Sequence, residues 1–382
     1  MSGAMSRQLL TIDQARTIVL EASHPLESER MEISEALDRV LAQDVDARHA
    51  VPPFPSSAMD GYAVLASDGA GELTLVGESR AGAPAARRLA AGEAIRVSTG
   101  AAVPDGADAV IRQEDTEELG AGLIRTLIAV PSGENVRPAG EVMRSGARVL
   151  ARGTTLGPIE LAAAITAGAS DVIVGRRPRV HVLGTGDELR DPGAPLGPGQ
   201  IHDSNGAMLR ALALRAGGSA PPAIRLPDDR AQTVRGLEAA LSGADVVVIS
   251  GGVSVGPHDH VKPALAELGV QERFWGVALQ PGKPTWFGTR SQTLVFGLPG
   301  NPVSSAVTFA LFVAPALAVL QGRPSPEHIR MAAKLGEAVR RNPGREQALR
   351  VRLENVDDGL VAIPNGPQGS HMISSLIGAD FL

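Results

Sequence analysis

The spacing of apolar and polar residues changes rhythm along the chain, and each change marks a structural unit. Thr11-Ile12-Asp13-Gln14-Ala15 reads as a capped helix start whose pattern continues to about Ala22. Ser34-Glu35-Ala36-Leu37 predicts a second, shorter helix leading to Val40-Leu41. Short β-rich runs follow at 73–76, 95–97, 109–111 and 123–128, separated by Gly, Pro and Asp turns. They predict a small β domain inserted between the N-terminal helices and a further helix at 159–167, which would rejoin that pair.

From Arg179 onward, strand and helix alternate, as in a parallel sheet with crossover helices. Strands are predicted at 180–183, 224–226, 246–249 and 293–296. Asp203-Ser204-Asn205 leads into a helix through about Ala216. Asp228 or Asp229 caps another, with Val234, Leu237 and Leu241 on one face. Val246-Val247-Val248-Ile249 suits a strand buried on both faces. Asn301 and Pro302 form an N-cap and first helical position for a long helix to about Gln321. Beyond a linker at 322–326, Leu349, Val351 and Leu353 alternate with charged residues. A Val356-Asp357-Asp358-Gly359 turn then leads into 360–363.

The expected fold is thus a multidomain α/β chain. It comprises an N-terminal helical region (1–44 and 149–176), an inserted β domain (45–148), a central parallel-sheet α/β domain (177–323) and a small C-terminal β domain (324–382). A length of 382 residues agrees with two to four domains.

Composition narrows the chemistry. The net charge is −6, the basic residues are nearly all Arg, and Lys262, Lys283 and Lys334 are the only lysines. A mildly acidic chain with 3% aromatic residues lacks the basic footprint and stacking platform of a nucleic-acid binder. Cysteine is absent, which excludes disulfides, thiolate zinc sites and cysteine nucleophiles. The first ten residues lack a signal-peptide pattern, and the apolar segment 306–320 is short for a bilayer span and carries Pro315. A cytoplasmic protein without a membrane partner is expected.

Ligands of open α/β sheets bind at the carboxyl ends of the strands. Five polar or Gly-rich strand-to-helix loops, those at Asp187, Asp228, Ser250, Lys283 and Asn301, are therefore expected to converge on one edge. Ser250-Gly251-Gly252-Val253-Ser254-Val255-Gly256 has little side-chain bulk and can bring main-chain N–H groups close to an anion. Asp187, Glu188, Asp228 and Asp259 are candidate ligands for Mg²⁺, a hard ion that prefers oxygen donors. Each would otherwise serve as a cap or turn residue. Lys283 would neutralise a phosphate or oxyanion. His258 and His260 would face apart at a helix start and read as ordinary polar residues. In the N-terminal half, the stiff segment 51–62 displays Asp60 beside the single tyrosine, Tyr62. Ser98-Thr99-Gly100 and Gly140-Glu141 are turns that carry polar groups. No Walker A spacing or complete G-x-G-x-x-G fingerprint occurs. Electrostatic handling of a phosphorylated anion is favoured over covalent catalysis.

Several strings together resemble the molybdopterin molybdenumtransferases, the molybdate insertases that include the E domain of gephyrin. They are P-P-F-P-S-S-A-M-D-G-Y-A-V (52–64), S-T-G-A-A-V-P-D-G-A-D-A-V (98–110), N-V-R-P-A-G-E (135–141), G-T-G-D-E-L (184–189) and I-H-D-S-N (201–205). S-G-G-V-S-V-G (250–256), P-G-K-P (281–284), G-L-P-G-N-P-V-S (297–304) and G-S-H-M-I-S-S-L (369–376) complete the series. The resemblance implies transfer of molybdate onto adenylylated molybdopterin, with release of AMP and a requirement for Mg²⁺. It also implies a homodimer whose active site lies between the α/β domain of one subunit and the inserted domain of the other. The adenylyltransferase that makes the substrate is the implied partner. By position, Asp60, Thr99 and Glu141 would come from the inserted domain. Asp187, Glu188, Asp228, Asp259 and Lys283 would come from the α/β domain. Asp203, Ser204, Ser250, Gly251, Gly252, Ser254, Gly256, Pro299, Gly300 and Asn301 would contact the nucleotide-pterin, and Arg350 and Ser374 would line the cleft from the last domain.

The chain departs from the family pattern at Val142, where many relatives carry Asp, and at Gln280, where some carry Lys. His202 replaces a usual Tyr and Gly206 a common Arg, and the last domain is expected to be shortened. These departures motivate the alternative of a non-catalytic pterin-binding or scaffold homologue.

Overall fold

The computed structural model describes residues 8–253, 260–324, 331–356 and 359–380. Ser254, Gly256, His258, Asp259 and the Asp357-Asp358 turn lie outside the described residues. The chain forms two compact units. One comprises residues 1–29, 38–42 and 173–382, and the other 30–37 and 43–172.

The first unit is built on a six-stranded sheet of β1 (Val180–Thr185), β2 (Ile224–Leu226), β3 (Val246–Ser250), β4 (Gln271–Trp275), β5 (Trp286–Arg290) and β6 (Thr293–Leu298). Their order is β2-β1-β3-β6-β5-β4. The first four in that order run parallel, whereas β5 and β4 pair antiparallel. The expected parallel sheet is therefore present with an antiparallel edge that the apolar pattern does not announce. Gln271, Glu272 and Arg273 of β4 are exposed, so no apolar alternation marks that strand.

Successive residues of β3 enter opposite cores. Val246 and Val248 pack with Leu209, Val303, Phe312 and Leu317, and with Ala15 and Val19 of the N-terminal helix Ile12–Glu21. Val247 and Ile249 pack with Leu237, Leu241, Ala264 and Leu265. Helices thus cover both faces, which explains a continuous apolar run in place of alternation. The helix Pro302–Thr308 continues through a π turn at Phe309–Val313 into Ala314–Leu320. Pro315 cannot donate to the carbonyl four residues earlier, a common reason for such an irregularity. Among the described residues, Pro302–Leu320 alone is long and apolar enough to cross a membrane. Its apolar side chains are accounted for by the core of the sheet. The C-terminal region pairs Val351–Val356 with Gly359–Pro364 as an antiparallel hairpin and adds Lys334–Leu335 in parallel.

In the second unit, a six-stranded sheet is ordered Ala109–Arg112, Gly61–Val64, Glu93–Val97, Glu72–Ser79, Leu123–Thr126 and Thr116–Gly120. Tyr62 is a core residue here. It is 1% exposed, donates to Glu118 Oε1 at 2.8 Å and carries the Arg96 guanidinium over its ring. The helix at Pro158–Thr166 is present as expected. The helix expected from Ser34 is reduced to one 3-10 turn, Ile33–Glu35. Asp38, with φ of 61°, breaks the helical path three residues later.

Asp245, at the amino end of β3, accepts from Arg176 Nη1 (2.8 Å) and Nη2 (3.0 Å) and from the Arg179 main-chain N–H (2.7 Å). Burial opposes its charge, yet the bonds to Arg176 and Arg179 outweigh it and hold the carboxyl at about 2. A depressed folded pKa stabilises above the unfolded value, and the contribution is lost as pH falls through the folded one. Asp245→Asn should therefore lower the melting temperature at neutral pH. It should also flatten the loss of stability between about pH 4 and about pH 2 in acid titrations followed by circular dichroism.

Candidate functional site

β1 has β2 on one side and β3 on the other, so the chain leaves their carboxyl ends in opposite directions. Such a switch point opens a crevice above the sheet. A cleft of about 660 Å³ lies there. It is bordered by Gly184, Thr185, Gly186 and Glu188 after β1, Asp228 after β2, Ser250, Gly251 and Gly252 after β3, and Gly300 and Asn301 after β6. His202, Asp203, Ser204 and Asn205 border it at a helix start, and His371 and Ile373 reach it from the C-terminal region.

Four of the five expected loops therefore meet. The fifth, with Lys283, connects two strands and does not precede a helix. It reaches the same sheet edge because β5 runs antiparallel to β6 and begins there. Lys283 is half-buried, its carbonyl accepts from Val277 N–H at 3.0 Å, and it does not border the cleft.

The glycines have a steric cause. Gly251 and Gly252 have φ of +87° and +65°. A Cβ on Gly252 would lie 2.5 Å from Val261 Cγ2, and one on Gly251 would lie 2.9 Å from Thr185 Oγ1. Only glycine lets this loop cross so close to its neighbours.

Two helices begin at the cleft. Asp203 caps one, accepting from Gly206 N–H at 2.8 Å, and is 8% exposed. Asn301 occupies the cap of the other but makes no side-chain bond to it. Its amide donates to Ser370 Oγ at 2.8 Å. The positive end of that second helix is thus left without a side-chain cap.

Asp229, not Asp228, caps the helix after β2, accepting from Gln232 N–H at 2.8 Å. That leaves Asp228 for a different contact. Asp187 N–H donates to Asp228 Oδ2 (3.4 Å) and Asp228 N–H to Asp187 Oδ1 (3.1 Å). The exchange locks two exposed carboxylates together beside Glu188. Among the described residues, no group of three or more His, Asp or Glu is gathered for a metal.

The cleft lining contains Glu188, Asp203 and Asp228 but no Lys or Arg. Cations gather in a second cavity of about 560 Å³, bordered by Gln280, Pro281, Arg340, Arg341, Arg350 and Gln368. Arg350 lies there and not in the cleft. It is 1% exposed and donates to Ser375 Oγ (3.0 Å), Ala348 O (3.2 Å) and Gly369 O (3.2 Å). Burial lowers its pKa from the usual guanidinium value. Ser374 is exposed on the 3-10 turn Ile373–Leu376, beside the Ser375 that Arg350 holds.

In the second unit, Thr99 N–H and Oγ–H both donate to Asp60 Oδ1, at 2.7 and 3.1 Å. Val136–Arg137 pairs with Ser56–Ser57, and Gly140 N–H donates to Pro52 O at 2.9 Å. This brings the Glu141 turn beside the stiff segment, with Glu141 and the following Val142 exposed. Pro299 accepts from Ser305 Oγ and so shapes the turn before Gly300.

Sequence reasoning passes over Thr185, Asn205 and His371. All three sit inside quoted motifs, which is the one signal that points to them, and His371 is brought to the cleft by the fold of the last region.

Known proteins resemble the chain over nearly its whole length. Residues 10–168 match the MoeA N-terminal region (domain I and II), 181–319 a probable molybdopterin binding domain, and 332–382 the MoeA C-terminal region (domain IV). The molybdopterin molybdenumtransferase of Haemophilus influenzae is 38% identical over 97% of this chain and 92% of its own length. Gephyrin of Dictyostelium discoideum is 32% identical over 83% of this chain and 50% of its own length. A crystal structure of the molybdopterin biosynthesis MoeA protein of Pyrococcus horikosii superposes with a TM-score of 0.82 at 34% identity, covering 98% of this chain and 93% of that one. The chain belongs to the molybdopterin molybdenumtransferase family.

Proposed function

We propose that the chain inserts molybdate into adenylylated molybdopterin, releasing AMP and forming molybdenum cofactor, as a cytoplasmic homodimer supplied by the adenylyltransferase. The observation that carries the reading is the cleft at the switch point, where glycine loops and an uncapped helix start face a locked carboxylate pair. A glycine loop without side-chain bulk and a helix N-terminus suit phosphate oxygens. Asp203 and Ser204 hold the helix start that borders the ligand, and Ser250, its hydroxyl held by Asn205, lines the cleft at the end of β3.

The carboxylates fit a hard divalent cation. A dianionic ligand would be repelled by Glu188, Asp203 and Asp228, and no Lys or Arg among the described lining residues offsets them. Asp187 and Asp228, with Glu188 and Asp259, would hold Mg²⁺ through oxygen donors. When bound, the ion supplies the positive charge that lets phosphate and oxyanion share the cleft. In the dimer that the resemblance implies, the inserted domain of the other subunit would contribute Asp60, held by Thr99, and Glu141 as acceptors, and Lys283 would contribute a cation near the sheet edge of the cleft. The arginine-bordered cavity suits molybdate itself, a small dianion that Arg340 and Arg341 would attract.

Purified protein given adenylylated molybdopterin, Mg²⁺ and molybdate should release AMP and yield active cofactor. Absence of both products, where a known relative works, would sink the enzymatic reading. Asp228→Ala and Asp187→Ala should each lower kcat/KM about 100-fold, with the melting temperature little changed because both groups are exposed. Arg341→Ala should raise the KM for molybdate about tenfold while leaving pterin binding intact. An unchanged molybdate KM would remove the second cavity from the scheme.

The exposed Val142, 66% accessible where many relatives carry Asp, favours a second reading as a pterin-binding homologue without turnover. Tight pterin binding with no AMP release would select it.

A further inference from the structure

Asn205 ties a helix start to the ends of two neighbouring strands, which the bond from Gly251 N–H to Leu298 O (3.0 Å) also joins. Its Nδ2 donates to Ser250 Oγ at 2.9 Å and to Gly300 O at 2.6 Å. A carbonyl can only accept, so the Gly300 contact fixes which end of the amide faces it. The opposite end, Oδ1, is buried and has no hydrogen-bond partner among the described residues. A buried acceptor left unpaired is a destabilising feature, and native structures keep few of them. Asn205 is therefore a side chain whose donor end is used at a cost to its acceptor end. Rules of local satisfaction are broken in this way mainly at functional positions.

The two groups it grips are the last residue of β3 and the glycine before the uncapped helix. Their loops approach closely, since a Cβ on Gly300 would lie 3.8 Å from Gly251 Cα. Ser250 itself is 4% exposed, so its hydroxyl has little freedom to bond elsewhere.

We propose that Asn205 is a positioning residue. Its amide clamps Ser250 to Gly300 and thereby fixes the separation of the two glycine loops that receive the adenylate end of the ligand. The ligand assignment rests on the proposed function; the clamp itself does not. Removing the amide releases Ser250 and Gly300 from each other, leaves the Gly251 N–H bond to Leu298 O as the remaining link, and touches neither the carboxylate pair nor the sheet.

The test compares wild-type protein with Asn205→Ala by amide hydrogen exchange without ligand, by thermal melting and by calorimetric titration with AMP. The clamp requires faster exchange in peptides covering 249–253 and 298–303, and no change in those covering the inserted sheet. Positioning further requires AMP affinity lowered about tenfold at a temperature where both proteins remain folded; the melting temperature should fall slightly, because the substitution leaves Ser250 and the Gly300 carbonyl without the amide. Ser250→Ala alone should lower affinity similarly, and the double variant should be no worse than either single one. Unchanged exchange at both loops would overturn the clamp. Faster exchange with unchanged AMP affinity would reduce Asn205 to a purely structural role and overturn positioning. Should wild-type protein fail to bind AMP while exchange at both loops still responds, the clamp stands and the adenylate assignment falls.

Discussion

Burial of β3 on both faces, with hydrogen-bonded neighbours on both edges, is the constraint from which the rest of the first unit follows. A strand so enclosed must be apolar along its whole length, and its loop must leave through the edge of the sheet. The crossover helices run to opposite faces from β1 and β3, so no helix lies over their carboxyl ends. The loop after β3 then turns against Thr185 and Val261, and the contact distances there leave room only for glycine. The same close packing that demands Gly251 and Gly252 also exposes their main chain to the cleft. Sterics and binding coincide at this turn.

The two ends of the sheet are held by different forces. At the amino ends of β1 and β3, Asp245 is gripped by Arg176 and Arg179 in a partly buried ion pair. At the carboxyl ends, Asp187 and Asp228 bond to each other's main-chain N–H, and Asn205 and Asn301 make neutral contacts through their amides. Ion pairs with several hydrogen bonds resist rearrangement, whereas neutral contacts over exposed backbone yield more readily. The sheet is therefore anchored at one edge and adaptable at the other. Charge is divided in a similar way within the unit, with carboxylates around the cleft and arginines around the second cavity. The overall charge of −6 reveals nothing of that division.

Much of the architecture was legible from pattern alone. The capped helix after Thr11, the strands of the parallel sheet and the Asn301-Pro302 helix start all stand where apolar spacing and cap residues put them. These features depend on neighbours within a few residues. β4 escaped notice because its first three residues face solvent, and β5 because aromatic and Gly residues crowd a short span between turns. The short helix after Ser34 was expected from propensity, and the backbone at Asp38 does not continue it.

Chemistry that depends on local order could be read from the chain: the glycine loop, the run of carboxylates, and the family itself. Chemistry that depends on distant partners could not. Whether Asp228 or Asp229 caps a helix is decided by Asp187, 41 residues away. Asn205 gains its place only from Ser250 and Gly300, 45 and 95 residues along the chain. Arg350 reads as an ordinary strand arginine until the fold wraps the 367–375 loop around it. Side-chain type and spacing settle which groups are available, because they act over one or two turns of backbone. Which groups meet is a property of the packed sheet, whose close-packed interior leaves each side chain one place to go.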